Sequence, residues 1–238
     1  MTPVIHQRIT LNQHEYSLQI RHSARARRIR MTASVDGIKI TLPDSLPLSA
    51  ALDFAHENTD WLLAQMQRVQ REQAKRLPAD VLLLRGEPHR LVIAESPDRT
   101  TRALIHPAQG KISVLVPAGR KRQARQYLEA WLRSQARQEI ETAVQEWAGR
   151  MQVFPTRIAI RDQRTRWGSC SSRKTLSFNW RLIMAPPSVL EYVVVHELAH
   201  LVEPNHSRAF WQVVEKFIPD VQAPRRWLKN NAQNMRTI

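Results

Sequence analysis

The stretch "VVVHELAHLVEPNHSRAFW" (193–211) constrains the fold of this 238-residue chain more than any other. Its first half is apolar except for His196, Glu197 and His200, which predicts a buried helix with one polar edge. Residues four positions apart lie one turn apart on the same helix face, so the two imidazoles can share one ion. Zinc accepts imidazole nitrogens at about 2.0–2.1 Å, so the stretch predicts a zinc site on a helix.

The third metal ligand is predicted to be His206, because catalytic zinc sites use three protein ligands and keep one position open. The letters "EPN" before it supply a proline and an asparagine where the chain must leave the helix and turn back. Glu203 and Glu215 are alternative third ligands, since each carries a carboxylate. Cys170 is another alternative, as in peptide deformylases, but "WGSCSS" does not match their cysteine motif and a buried, inert thiol is favoured.

Glu197 adjoins a predicted ligand, so its carboxylate can accept a proton from a zinc-bound water, whose pKa the metal lowers to roughly 7. The pattern therefore predicts a zinc-dependent metallohydrolase, foremost a peptidase, with Glu197 as the catalytic base. Tyr192, Arg166 and Asn179 are candidates for stabilising the oxyanion, by proximity in sequence alone. The strand predicted at 175–183 could offer an open sheet edge on which an extended peptide can pair; the alternative is an ordinary strand whose edge is covered.

The first half of the chain predicts hairpins followed by helices. Two alternating runs in "IRMTASVDGIKITLP" meet at Asp36-Gly37, a strong hairpin signal, and a helix is predicted over 49–70. The pattern recurs when 11–66 is aligned with 84–136, which pairs Gly37 with Gly110 and favours a duplicated hairpin–helix unit. The segment 71–80 is the predicted linker between the copies.

The second half alternates helices and short strands. A long helix is predicted over 121–150 and a strand over 156–162. A tight turn follows near 171–174, and a final helix is predicted over about 207–217. Ser188 and Glu191 form a capping-box pattern, which predicts the start of the histidine-bearing helix.

The charge balance is strongly basic, with 36 Lys+Arg against 21 Asp+Glu and a formal net charge of +15. Such an excess favours polyanionic partners, of which nucleic acid is the commonest. The segments 21–30 and 225–236 carry much of this positive charge. The favoured interpretation is that they are solvated surface segments. The alternative is that they contact DNA or nucleoprotein through its phosphates. A nucleic-acid-binding protein with a structural or vestigial zinc site is therefore one rival function, and a zinc amidase acting on small amides is another.

The single cysteine excludes an intramolecular disulfide and is typical of a reducing compartment. The start of the chain lacks the apolar run of a signal peptide, and polar residues interrupt every window long enough to span a bilayer. A cytoplasmic protein without membrane contact is expected. The sequence does not indicate an oligomeric state.

Residues 156–218 closely resemble the YgjP-like zinc metallopeptidases and, more distantly, the SprT-like and WLM peptidases. The resemblance is carried by "RWGSC" (166–170), "HELAH" (196–200), "NHS" (205–207) and "FW" (210–211). It implies a minimal zincin-like fold, zinc held at 196, 200 and 206, and a general base at 197, but it supplies no substrate. A protein or peptide substrate is expected from the predicted peptidase chemistry instead. The expected architecture is thus α+β: an N-terminal hairpin and helix region, 1–118, followed by a zincin-like domain, 119–238.

Overall fold

The predicted hairpin around Asp36 and Gly37 forms in the computed structural model, which describes residues 3–97 and 102–236. Strands β3 (Arg30–Ser34) and β4 (Gly37–Pro43) pair antiparallel, with Ser34 opposite Gly37. Gly37 has φ +115°, and a Cβ there would lie 2.3 Å from a backbone oxygen of Ser17, so only glycine fits. A first hairpin of β1 (Val4–Leu11) and β2 (His14–Ser23) joins it through parallel pairing of β2 with β4, giving the order β1-β2-β4-β3.

The helix predicted over 49–70 is two helices, α1 (Ser49–Glu57) and α2 (Thr59–Ala74). The break falls at Asn58, whose backbone leaves the helical region at φ −110° and ψ 27°. Its side-chain amide donates to the Phe54 carbonyl at 2.8 Å, an alternative to helix pairing that asparagine favours. The helices and the sheet share an apolar core that includes Leu18, Ile20, Ile38, Ile40, Ala55 and Leu62.

The same strand pattern occurs again in β5 (Val81–Leu84), β6 (Glu87–Glu95), β7 (Leu104–Ala108) and β8 (Lys111–Val116). Two antiparallel hairpins are again joined by one parallel pair, in the order β5-β6-β8-β7. The repeat predicted for 11–66 and 84–136 thus has a counterpart in strand topology. The registers correct the alignment by one residue: Ala108 pairs with Lys111 as Ser34 pairs with Gly37, so Gly37 corresponds to Lys111 rather than Gly110.

The chain divides into two compact units between Arg76 and Leu77, inside the segment predicted as the linker. The boundary predicted at 118/119 falls inside the second unit. The reason is that β5 and β8 bury Leu82, Ile112 and Val114 in one core with the helices that follow them. A hydrophobic core that continues across a position keeps both sides of it in one unit.

The second unit continues with α3 (Ala124–Met151) and a three-stranded sheet of β9 (Arg157–Arg161), β10 (Gly168–Cys170) and β11 (Thr175–Asn179). Strand β11 lies in the middle, parallel to β9 and antiparallel to β10. A 3-10 helix, Trp180–Met184, follows where the sequence predicted that the strand would continue to residue 183. With α4 (Pro187–Ala199), α5 (Arg208–Phe217) and α6 (Gln222–Asn231), this is the predicted α+β class with mixed sheets.

Helix α4 begins at Pro187, and the predicted capping box of Ser188 and Glu191 does not form. Proline fits the first helical position, where its missing N–H costs no hydrogen bond, so Ser188 already lies inside the helix. As predicted, α4 is buried on several sides. Its own buried apolar residues are Val189, Leu190, Val193, Val194, Val195 and Leu198, among others. Among the described helices, none combines the length and the apolar character that a bilayer crossing requires.

Candidate metal centre

Three histidines converge at the C-terminal end of α4. His196 lies in its last turn, His200 is its C-cap residue, and His206 lies in the loop before α5. One ring nitrogen from each lies within 4.8 Å of the others, and Nε2 of His196 is 3.0 Å from Nε2 of His206. Two nitrogens that share a tetrahedral zinc ion at about 2.0–2.1 Å lie roughly 3.3 Å apart, so the cluster fits such an ion.

The second ring nitrogens differ in their surroundings. Nδ1 of His200 lies 3.2 Å from the Glu203 carbonyl, so an Nδ1–H that donates there leaves Nε2 free to bind a metal. Nδ1 of His196 is buried without a hydrogen-bond partner among the described residues. Glu203, an alternative third ligand in the sequence, thus contributes its backbone oxygen to the site, by orienting His200.

An aromatic wall holds the imidazoles in place. Phe210 is fully buried, and its ring centroid lies 4.9, 4.5 and 4.8 Å from those of His196, His200 and His206. Ser207 caps α5 by accepting a hydrogen bond from the Phe210 N–H at 3.2 Å, which fixes the first turn that carries this ring. The aromatic contacts restrict the rotation of all three imidazoles.

Burial keeps His196 and His200 neutral. Burial, followed by the neighbouring His200 and His206, lowers the pKa of His196 to about 3. The pKa of His200 is lowered as well, mainly by burial. Because only the neutral imidazole has a lone pair for a cation, both rings are in the form that binds a metal.

Glu197 lies beside the cluster, only 5% exposed. Burial raises the pKa of its carboxyl to about 7, against the opposing effect of the Arg166 charge. A carboxylate with a pKa near neutrality is suited to taking and returning protons.

Gly168, on β10, packs directly against this carboxylate. A Cβ at Gly168 would lie 2.5 Å from Oε1 of Glu197 and 2.8 Å from its carboxyl carbon. Real Cβ atoms do not approach so closely, so the absence of a side chain at 168 makes room for Glu197. Sequence reasoning gave Gly168 no individual role; a glycine inside a short strand pattern is the signal of such a close approach.

Two concave spaces meet at Gly168, His196 and Glu197. A groove of about 760 Å³ runs between β10 with its following turn and the histidine loop, where Leu201 and Pro204 line it. A smaller cavity of about 290 Å³ lies on the side of α6. Its other lining residues are Trp167, Tyr192, Val193, Arg225 and Leu228.

The open sheet edge beside the site belongs to β10, and the strand predicted at 175–183 is the covered strand that the sequence also allowed. Strand β11 pairs on both sides, whereas β10 is the end strand of its sheet. Asn179, a candidate for oxyanion stabilisation, is buried; its side chain donates to the Gln163 carbonyl at 2.7 Å and accepts from the Arg181 N–H at 3.0 Å. Those bonds commit Asn179 to holding the loop before β10.

The other residues that the sequence suggested for oxyanion stabilisation or metal binding lie at separate places around the site. Tyr192 is buried beside His196 in the smaller cavity, and Arg166 lines the groove. Cys170 lines the groove as well, half-buried, and burial followed by the Glu197 charge raises the pKa of its thiol. Within the described residues, the three-histidine group includes neither Cys170 nor the carboxylates of Glu203 and Glu215. The metal-binding role of the histidines stays a prediction that this geometry fits.

A helix-borne His-Glu-x-x-His pattern with a third histidine and an adjoining buried carboxylate is the arrangement of a metal-dependent hydrolase. The chain belongs to the YgjP-like family: the model described as "YgjP-like, metallopeptidase domain" matches residues 27–231. This membership supports a hydrolase of the metallopeptidase class and implies a divalent metal.

Two solved structures are similar to part of the chain. The metallopeptidase zymogen abylysin of Pyrococcus abyssi is 21% identical, with a TM-score of 0.35, and the match covers 40% of this chain and 93% of that one. The zymogen jannalysin of Methanocaldococcus jannaschii is 22% identical, with the same TM-score, and the match covers 40% and 95%. No curated protein sequence matches the chain significantly.

Proposed function

We propose that this protein is a zinc-dependent peptidase in which His196, His200 and His206 hold the metal and Glu197 is the general base. The observation that carries the proposal is the convergence of three ring nitrogens within 4.8 Å beside a buried carboxylate. When bound, a zinc ion supplies Lewis acidity, which acidifies a water molecule and polarises a carbonyl group.

The protein's own contribution is proton transfer and positioning. Glu197, with its pKa raised to about 7 by burial, takes a proton from water as that water attacks the scissile carbonyl carbon. The same carboxyl group then gives the proton to the leaving amine as the C–N bond breaks. Gly168 leaves the carboxylate the space that this exchange needs.

The shape of the site favours an extended peptide over a small amide. The 760 Å³ groove follows β10, whose outer edge can donate and accept backbone hydrogen bonds with an added strand. A peptide paired there would pass Gly168 and bring one backbone carbonyl next to Glu197. An enzyme for small amides has no need of an open strand edge.

The proposal is tested by metal content and cleavage together. Purified protein is expected to carry about one zinc per chain, to cleave casein, and to lose cleavage on chelation until zinc is returned. His206→Ala should lose zinc on dialysis, because two imidazoles remain, whereas the exposed His106→Ala should retain it. Glu203→Gln keeps the carbonyl that orients His200, so zinc should be retained there as well.

Other results of the zinc and cleavage measurements would change either the assigned ligand or the assigned activity. Zinc that survives in His206→Ala but is lost in Glu203→Gln would assign the third ligand to Glu203. Stoichiometric zinc without cleavage of casein or any peptide would contradict the peptidase and favour a structural metal site.

We also propose a second function, nucleic-acid binding, for the first unit. Arg21, Arg25, Arg27, Arg28 and Arg30 line one concavity of about 450 Å³. In the described part of the chain none of them pairs with a carboxylate, and Arg21 donates instead to the Thr41 hydroxyl at 3.2 Å. Unpaired guanidinium groups around one concavity suit the phosphates of a nucleic-acid backbone.

Salt dependence tests this second function. Duplex DNA binding is measured by fluorescence anisotropy between 50 and 200 mM salt, for the wild type and for Arg27→Ala/Arg28→Ala. The double variant should bind more weakly, and its slope of log K against log salt should be smaller by about 2, since two phosphate contacts are lost. Arg122→Ala/Arg125→Ala, an equal change of charge at exposed positions of the second unit, should leave the slope unchanged. Equal effects of the two pairs would contradict a built site.

A further inference from the structure

The cavity on the α6 side of Glu197 is lined by both apolar and polar residues and has one arginine. Trp167, Val193 and Leu228 are among the wall residues, and Arg225 of α6 supplies the charge. At about 290 Å³ the cavity is near the lower limit of ligand pockets, a size suited to one side chain. It shares Gly168, His196 and Glu197 with the groove, so it adjoins the position at which a peptide would be cut.

Arg225 is held in place without a carboxylate. Its guanidinium carbon lies 5.1 Å from the centroid of the Trp211 ring, a cation–π contact that orients the planar group. Within the described residues no acidic side chain pairs with it. Its charge reaches the site: it helps burial to lower the pKa of His196, and it opposes the rise that burial causes in the pKa of Tyr192.

A cation without a partner, fixed over an aromatic ring beside a cavity, is suited to receiving an anion. Guanidinium binds a carboxylate through two parallel N–H···O bonds, which are stronger than bonds between neutral groups. Arg225 is itself exposed, so its guanidinium can receive the anion from the solvent side of the cavity. A neutral or basic substrate group in the same cavity would leave Arg225 without a partner there.

We infer that Arg225 selects substrates that carry a carboxylate next to the scissile bond. The carboxylate comes either from an Asp or Glu side chain or from the C-terminus of a short peptide. The inference rests on the proposed peptidase function and adds the substrate class. Arg225 is a specificity-determining residue here, and the proton transfers remain with Glu197.

The test compares matched peptides that differ at one position. Three series carry an internal Glu with an amidated end, an internal Gln with an amidated end, or an internal Gln with a free C-terminal carboxylate. Wild-type kcat/KM should be about 10- to 100-fold higher for one or both carboxylate series than for the amidated Gln series, as expected for one charge-assisted pair. The series that is preferred identifies the source of the carboxylate.

Variants connect the preference to the residue. In Arg225→Gln the preference should fall to about one, and Arg225→Glu should instead favour peptides with Lys at that position. Arg226→Gln is an equal loss of charge at a neighbour that is exposed like Arg225 but does not line the cavity, so it should keep the wild-type preference. Equal losses of kcat for all series in Arg225→Gln would mean that Arg225 stabilises the transition state, and would overturn the inference.

Failure of the inference is distinguishable from failure of the proposed function. Cleavage of all series at equal rates would keep the peptidase and remove the carboxylate preference. If no series is cleaved, the binding of the same peptides is measured by titration calorimetry. A carboxylate series should then bind about tenfold more tightly than the amidated Gln series, and Arg225→Gln should abolish this difference. Equal binding of all series would overturn the inference.

Discussion

Replacing Glu197 with Gln is expected to lower kcat on a peptide substrate by about 10²–10⁴-fold while the zinc content stays at the wild-type level. The amide has almost the same shape but cannot accept a proton from water. The residue is only 5% exposed, so the substitution removes a desolvated carboxyl group and should not lower the free energy of unfolding. Stopped assays of peptide cleavage, with metal analysis of the same preparation, measure both quantities.

Glu191→Gln is the matched control, because Glu191 lies on the same helix and outside both concave spaces. Its turnover should equal that of the wild type. Undiminished turnover in Glu197→Gln would remove Glu197 from the mechanism. Loss of zinc together with turnover would instead indicate that the carboxylate helps to hold the metal.

Replacing Gly168 with Ala is expected to lower kcat by about 10²-fold, a typical cost of misplacing a catalytic group by about 1 Å. The added Cβ would lie 2.5 Å from Oε1 of Glu197, so the carboxylate has to move. Gly168 is not among the glycines with positive φ, so alanine introduces no backbone strain of that kind. The zinc content should stay unchanged, because the three atoms nearest the new Cβ all belong to Glu197 rather than to an imidazole.

Gly149→Ala is the control glycine, since a Cβ there meets nothing within 4 Å. The double variant Gly168→Ala/Glu197→Gln separates the two explanations of a loss. If Gly168 acts through Glu197, the double variant should be no slower than Glu197→Gln alone, because coupled residues are not additive. Multiplied losses would show that position 168 affects turnover by another route.

Local patterns predicted the parts of this protein that depend on near neighbours in sequence. The four-residue spacing of His196 and His200 determines that both lie on one helix face, and the structure has them there. The turn at Asp36-Gly37 and the start of the last predicted helix at Ser207 were found in the same way. In each case, backbone geometry within a few residues is sufficient to specify the outcome.

The rest was decided by packing between distant segments. Whether a strand is central or an edge strand depends on its partners, so β10 replaced β11 as the open edge. The approach to α4 is also fixed by a distant segment: the Gly86 N–H donates to the Met184 carbonyl at 2.9 Å, and the Cβ position of Gly86 lies 2.6 Å from Pro186. These contacts join residues about a hundred positions apart.

The three histidines of the cluster lie close together in sequence, whereas the residues that surround them come from distant segments of the chain. The sequence by itself determined which side chains can bind a metal, because their spacing on one helix and the turn after it are local. Only the tertiary structure decided that Gly168 makes room for Glu197 and that Arg225 faces the same site from α6. Close approach between strand and helix depends on how apolar faces from remote segments fill one core, and no local pattern encodes that distance.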